Sequence, residues 1–177
     1  MTNSRDERHA RIALISTGGT IEKTYDELAG VLENRVSVLD VMLASLQLRG
    51  VTVDRVALMN KDSLDMDAAD HERIAATTAT WLATHDGVVI VHGTDRLAVT
   101  GERLVELLGT PRAPIVLTGA MRPYVMRNTD ALQNLTEALL AVQLLPPGVF
   151  VAMHNRVLRF PGVVKDKDLG TFVRAAP

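Results

Sequence analysis

The sequence predicts an α/β fold: a single doubly wound, mostly parallel sheet with helices on both faces, a three-layer, flavodoxin-like arrangement. Three observations predict it. Short β-branched or aliphatic runs recur along the chain at Ile12–Ile15, Val51–Leu58, Val88–Val91, Ile115–Leu117 and Val149–Met153. The longer stretches between them carry apolar residues at offsets of three and four, the spacing of one buried helical stripe. Strands that are apolar throughout, separated by helices, describe a parallel sheet covered on both sides. In such sheets ligands bind beyond the carboxyl ends of the strands, so the residues that follow each run are where chemistry is expected.

The first run leads into Thr17-Gly18-Gly19-Thr20-Ile21. Adjacent glycines permit a tight turn and a close backbone approach, and the flanking hydroxyls offer either a nucleophile or simple turn caps. This is neither Gly-x-x-x-x-Gly-Lys-Ser/Thr nor Gly-x-Gly-x-x-Gly, so no nucleotide motif supports phosphate binding. The stretch Glu22–Asn34 reads as a flexible, functional loop with Tyr25 set among Glu22, Lys23, Asp26 and Glu27. After the second run, Asp65 or Asp67 suits the N-cap of a helix over Ala68–Thr84, whose buried stripe is Ile74, Ala75, Thr78 and Leu82. Asp62 and Ser63 lie nearer the strand end, where a helix start could hold a carboxylate. The third run opens into His92-Gly93-Thr94-Asp95 and a helix striped by Leu104, Leu107 and Leu108. Thr94-Asp95 reads as an N-cap or as a second hydroxyl beside a carboxylate at the same sheet edge as Thr20, which amide hydrolysis would use. His92, closing a buried strand, reads first as a hydrogen-bonded core residue. The fourth run is followed by Thr118-Gly119-Ala120-Met121-Arg122-Pro123 and a helix striped by Leu132, Leu135, Leu139 and Val142. After the fifth, an extended stretch leads to Lys165, either a surface lysine or part of a site.

Composition narrows the classes. With 177 residues the chain is long enough for one self-sufficient core. The 19 Lys+Arg against 21 Asp+Glu leave a net charge of −2, which argues against a nucleic-acid binder held by counterion release. No cysteine is present, excluding disulfides, thiolate metal sites and a cysteine nucleophile. His9, His71, His85, His92 and His154 form no His-x-x-x-His pair, so no metal is expected. No run approaches the roughly 20 apolar residues that span a bilayer, and the polar start is unlike a signal peptide. The expectation is a cytoplasmic protein with residues 1–10 as a flexible N-terminus and 11–177 as one catalytic domain, without cofactor, membrane or nucleic-acid partner.

Taken in order, Thr17-Gly18-Gly19-Thr20-Ile21, His92-Gly93-Thr94-Asp95, Thr118-Gly119-Ala120-Met121-Arg122-Pro123, Asp130–Leu135 and the ungapped stretch Val151–Lys165 resemble the N-terminal domain of the bacterial-type L-asparaginase family. The resemblance implies that Thr20 is the nucleophile and Tyr25 its activating partner on a mobile loop. It implies a second group of Thr94, Lys165 and Asp95, in which the lysine tunes the threonine and the aspartate also binds the substrate's α-amino group. Ser63, with Asp62 beside it, is implied to hold the α-carboxylate, Gly19 to line the pocket, and the Ala120 carbonyl to meet the substrate amide. The implied reaction is hydrolysis of L-asparagine to aspartate and ammonia through an acyl-enzyme, with direct water attack as the other route. Glutaminase or related amidase activity, a weakly active amino-acid-binding module and the asparaginase-like domain of a transamidation complex are the alternatives. Leu64 stands where many relatives have glutamine, and Arg96 stands where threonine is usual. The resemblance covers only the family's N-terminal domain. The expectation is therefore a short-chain form lacking the C-terminal domain and assembling as a homo-oligomer, dimer or tetramer.

Overall fold

The computed structural model describes residues 9–34 and 37–176. In chain order the elements are strands β1 (Ala10–Gly18), β2 (Thr24–Asp26) and β3 (Val31–Glu33), helix α1 (Leu39–Ala44), β4 (Val51–Lys61), α2 (Ala68–Leu82), β5 (Gly87–Val91), α3 (Leu97–Leu108), β6 (Pro114–Thr118), α4 (Ala131–Leu144), β7 (Gly148–Met153), β8 (Arg156–Arg159), β9 (Val163–Asp166) and β10 (Thr171–Arg174). The main sheet has the order β4-β1-β5-β6-β7-β8. Its first five strands are parallel and β8 pairs antiparallel to β7. This is the expected doubly wound sheet with one antiparallel edge strand. Chain order reverses at β1, which has β4 on one side and β5 on the other, so the β1/β5 crevice is the topological switch point.

Alternation along the strands builds two cores. Ile12, Leu14, Val89, Val91 and Val116 face α1 and α4, meeting Leu39, Met42, Leu135 and Val142. Ala13, Ile15, Val88, Ile90 and Ile115 face α2 and α3, meeting Ile74, Leu82, Leu97 and Leu104. Each fully buried aliphatic side chain contributes roughly 1.5–3 kcal/mol, which is how a chain with so few aromatics sustains a core. Helix α2 starts where Asp67 accepts from the Asp70 N–H and Asp70 accepts from the Asp67 N–H, a capping box that assigns Asp67 to helix initiation.

Helix α3 departs from its expected stripe. Leu104 is buried, but Leu107 is exposed and Leu108 only half-buried; the inward face is Leu97, Thr100, Gly101 and Leu104. The cause is the Phe160 ring, which lies so close to Gly101 that a methyl group there would collide with it. The buried stripe therefore runs through a glycine and a threonine that a search for leucines passes over.

Elements without a sequence expectation are α1, the β2–β3 hairpin and the three strands after β7. The hairpin occupies Thr24–Glu33, within the stretch expected as a loop. Strands β7 and β8 are joined by His154-Asn155, both with left-handed φ (54° and 59°), the two-residue geometry that matches strand twist. Of the expected flexible segment 1–10, residues 1–8 lie outside the described residues, while Ala10 already pairs with Val51 in β1.

Candidate functional site

The carboxyl ends of β1, β4, β5 and β6 converge on the switch point, and glycines set how closely. Gly19 has φ +84°, and a side chain there would run into the Gly93 backbone; a Cβ on Gly93 would lie 2.5 Å from Ser63 Oγ. Only residues without a side chain allow these turns to stack. Hydrogen bonds tie them together: the Gly19 N–H donates to the Lys61 carbonyl (2.9 Å) and the His92 N–H to the Thr118 carbonyl (2.8 Å). Asn34 Nδ2 adds a bond to the Gly19 carbonyl (2.8 Å), a contact for which the sequence carries no signal.

The two hydroxyls of the first turn separate clearly. Thr17 is fully buried and donates to the Val91 carbonyl (2.9 Å), stitching β1 to β5. Thr20, in a short 3₁₀ turn over Thr20–Glu22, is half-buried, and among the described residues no hydrogen bond occupies its hydroxyl. Of the two, Thr20 is thus the hydroxyl left uncommitted among the described residues.

At the end of β5, Lys165 Nζ donates to Thr94 Oγ1 (2.8 Å) and to Asp95 Oδ1 (2.8 Å). Lys165 comes from β9 and its side chain is mostly covered, whereas Asp95 keeps substantial exposure. An ammonium has donors only, so the Thr94 hydroxyl accepts from it and keeps its own proton for another acceptor. This joins three residues expected together, two of them some 70 positions from the third.

The other expected residues are placed less evenly. Ser63 is buried beneath Gly93 and its hydroxyl accepts from the Arg96 N–H at 3.4 Å. Asp62 caps the adjacent turn by accepting from the Leu64 N–H and pairs with Lys23 at 2.7 Å. Lys23 and that N–H together hold the Asp62 carboxyl below the usual carboxylate range. Ala120 is buried at the β6 end. Tyr25 stands apart: it is 63% exposed on the β2–β3 hairpin, and among the described residues it makes no hydrogen bond to Thr20.

His92 is a core residue, as its position suggests. It is fully buried, with Nδ1 against the Gly93 carbonyl (2.8 Å) and Nε2 against Thr100 Oγ1 (2.8 Å). A carbonyl only accepts, so Nδ1 carries the proton, Thr100 donates to Nε2, and His71 Nδ1–H donates to Thr100 (2.7 Å). Desolvation pushes the His92 pKa down to about 4, with the Gly93 bond opposing it. The imidazole is therefore neutral, supports the Gly93 turn and is unsuited to act as a base. Among the described residues no group of three His, Asp or Glu side chains is arranged to hold a metal ion, and no helix is long and apolar enough to cross a membrane.

Residues 11–170 match the family described as Asparaginase, N-terminal. The chain belongs to the asparaginase family. An L-asparaginase of Thermococcus kodakarensis is 32% identical over 162 residues, covering 90% of this chain and 49% of that protein. A component of the glutamyl-tRNA(Gln) amidotransferase of Haloquadratum walsbyi is 36% identical over 151 residues, covering 84% of this chain and 34% of the relative. Among solved structures, the thermostable L-asparaginase from T. kodakarensis superposes with a TM-score of 0.84 at 30% identity, covering 93% of this chain and 51% of that one. A probable cytoplasmic L-asparaginase from Campylobacter jejuni gives a TM-score of 0.75 at 30% identity, with coverages of 93% and 51%. The chain thus spans about half or less of the length of these asparaginase-family relatives.

Proposed function

We propose that the chain is an amidohydrolase that cleaves the side-chain amide of L-asparagine, with Thr20 as nucleophile. The observation that carries this reading is Lys165 bridging Thr94 and Asp95 at the switch point of an asparaginase-family sheet. A threonine hydroxyl is a weak nucleophile near neutral pH and needs a group to take its proton. Thr20 Oγ attacks the amide carbon. Its proton passes through Tyr25, or through the Thr94 hydroxyl that Lys165 orients, to the amide nitrogen, which leaves as ammonia. Water then cleaves the aspartyl ester, returning a proton to Thr20. Backbone N–H groups at the start of α3 are suited to the oxyanion, since the first turn of a helix has no internal partners for them. Gly19, Asp62, Ser63, Asp95 and the Ala120 carbonyl complete the pocket. Tyr25 reaches Thr20 only if the hairpin moves inward with substrate. The reading includes a cytoplasmic homo-oligomer.

The test is ammonia release by purified protein with L-asparagine, beside L-glutamine, and mass in solution. Release from asparagine with aspartate as product supports the assignment; release from glutamine alone replaces it with a glutaminase, and saturable binding without release makes the chain a binding module. The similarity to a glutamyl-tRNA(Gln) amidotransferase component favours one second reading, amide hydrolysis within a transamidation complex. That reading predicts turnover only when a partner is added.

A further inference from the structure

The α4 end that faces the site carries a buried polar cluster whose members outnumber what capping requires. Asn134 is fully buried between apolar neighbours Ala131, Leu135 and Ala138. Its Nδ2 donates to the Gly119 carbonyl (2.9 Å) and to Asp130 Oδ2 (2.9 Å), and its Oδ1 accepts from the His154 N–H (3.0 Å). All three bonds run to backbone or carboxylate groups of fixed polarity, so the amide can take one orientation only. The Asp130 carboxylate accepts in addition from the Met121 N–H (3.0 Å), the Arg122 N–H (3.0 Å) and His154 Nε2 (2.7 Å). Burial alone would raise the Asp130 pKa; these donors outweigh it and hold it low. The other ring nitrogen, Nδ1, is hydrogen-bonded to the Thr171 hydroxyl (3.0 Å). Thr171 opens β10, and its neighbour Phe172 is paired with Lys165 across the β9–β10 ladder.

We propose that Asn134, Asp130, His154 and Thr171 are positioning residues that act as one truss, fixing the Gly119–Arg122 loop relative to the strand pair that carries Lys165. One end holds the peptide groups on either side of Ala120. Gly119 itself lies against the His92 carbonyl and within 3.3 Å, from an added Cβ, of the Thr94 methyl. The other end is one residue from the register partner of Lys165. A slack link therefore shifts the group that meets the amide nitrogen against the group that orders Thr94, and both errors are felt in the transition state more than in substrate binding. This inference rests on the amidohydrolase reading above for its kinetic consequence, though not for its structural one.

Two measurements test it. Hydrogen exchange reads the truss without any activity: Asn134→Leu, which keeps an apolar-compatible volume, should speed exchange at Met121 and Arg122 at least tenfold while the amides of β5 and β6 stay protected. In turnover, Thr171→Val and His154→Gln should each lower kcat about tenfold with KM within twofold, the double variant should be no worse than either single one, and Thr171→Ser should retain the rate. Unchanged exchange at Met121 and Arg122 would overturn the truss, as would multiplying losses in the double variant or a change in KM alone. If the wild-type chain releases no ammonia from asparagine or glutamine, the function reading has failed and the exchange result alone decides this one. If Asn134→Leu does not fold, exchange in His154→Gln carries the same prediction.

Discussion

The two threonine-bearing strand ends that meet at the switch point are built in opposite ways. At β5, Thr94 is buried, bonded to Lys165, and backed by a neutral histidine that braces Gly93. At β1, Thr20 is half-buried with its hydroxyl uncommitted, and the nearest extension is a hairpin whose tip, including Leu28, lies in solvent. One half is preorganised to hold charge and protons in fixed geometry; the other is open to receive a reacting group. The amidohydrolase reading proposed above calls for both, because a nucleophile must be reached while the field around it must not have to reorganise.

The largest effects should come from breaking either half separately. Thr94→Val and Lys165→Met are each expected to reduce ammonia release by about a thousandfold or more, and together by no more than one alone, since they disable one bonded unit. Thr20→Ala should lose as much turnover while leaving unfolding within about 1 kcal/mol of wild type, because its hydroxyl holds nothing in place. Steady-state kinetics alongside thermal melts checks both. Wild-type turnover in Thr20→Ala would remove it as nucleophile, and multiplying losses at Thr94 and Lys165 would dissolve the unit.

The seam between the halves is the next place to press. Gly19→Ala forces a side chain into a left-handed φ and into the Gly93 backbone at once, so activity and at least about 2 kcal/mol of stability should go together. Gly30→Ala, at φ +70° with nothing within 4 Å, isolates the backbone strain and should cost about 1 kcal/mol. Equal losses in the two variants by urea unfolding would show that contact between the turns is immaterial.

Much of the architecture is legible in the sequence, and the exceptions share a cause. The central parallel strands and their terminal motifs announce themselves because strands buried on both faces must be apolar throughout, whereas the edge strand β4 carries Thr52, Asp54 and Arg55 and shows itself by its β-branched residues. The α3 stripe misleads because its inward face contains Gly101, chosen by the ring of Phe160, a residue 59 positions away in sequence. Asn34 and His154 have no local pattern: each matters through distant groups brought to it by the fold, and Asn134 is marked only by its place in the Asp130–Leu135 stretch that carries the family resemblance. Only the family resemblance singles out Lys165, since one lysine in an extended stretch carries no spacing signal.

Acid should weaken the preorganised half. The unfolded chain protonates His92 near its ordinary 6.5, the folded one only at about 4. A group whose folded pKa is depressed makes the native state bind fewer protons, so stability falls as pH drops through that window, by about 3 kcal/mol when complete. His71, also depressed by burial and the Arg96 charge, adds in the same direction. Urea midpoints measured at pH 7 and pH 4.5 should differ accordingly, and a flat profile would mean that the Thr94 half is not sealed.

The smallest expected effect concerns what joins the open half to the Ser63 turn. Lys23 lies between Thr20 and Tyr25 in sequence, and its 2.7 Å pair with Asp62 is the one ion pair among the described residues that spans these two segments. Both partners are partly exposed, so the pair contributes at most about 1 kcal/mol and is screened by salt. Lys23→Met should therefore leave melting nearly unchanged and raise KM a few-fold with kcat intact, because it loosens the approach to the α-carboxylate pocket without touching the reacting groups. In wild type, moving from low salt to about 1 M should raise KM by a similar factor, at a Debye length near 3 Å. The variant should lack that salt response. Equal salt dependence in both proteins would place the screened interaction elsewhere, and the open half would then be tied down by neutral bonds such as those from Asn34 Nδ2 to the Gly19 carbonyl and from the Gly19 N–H to the Lys61 carbonyl.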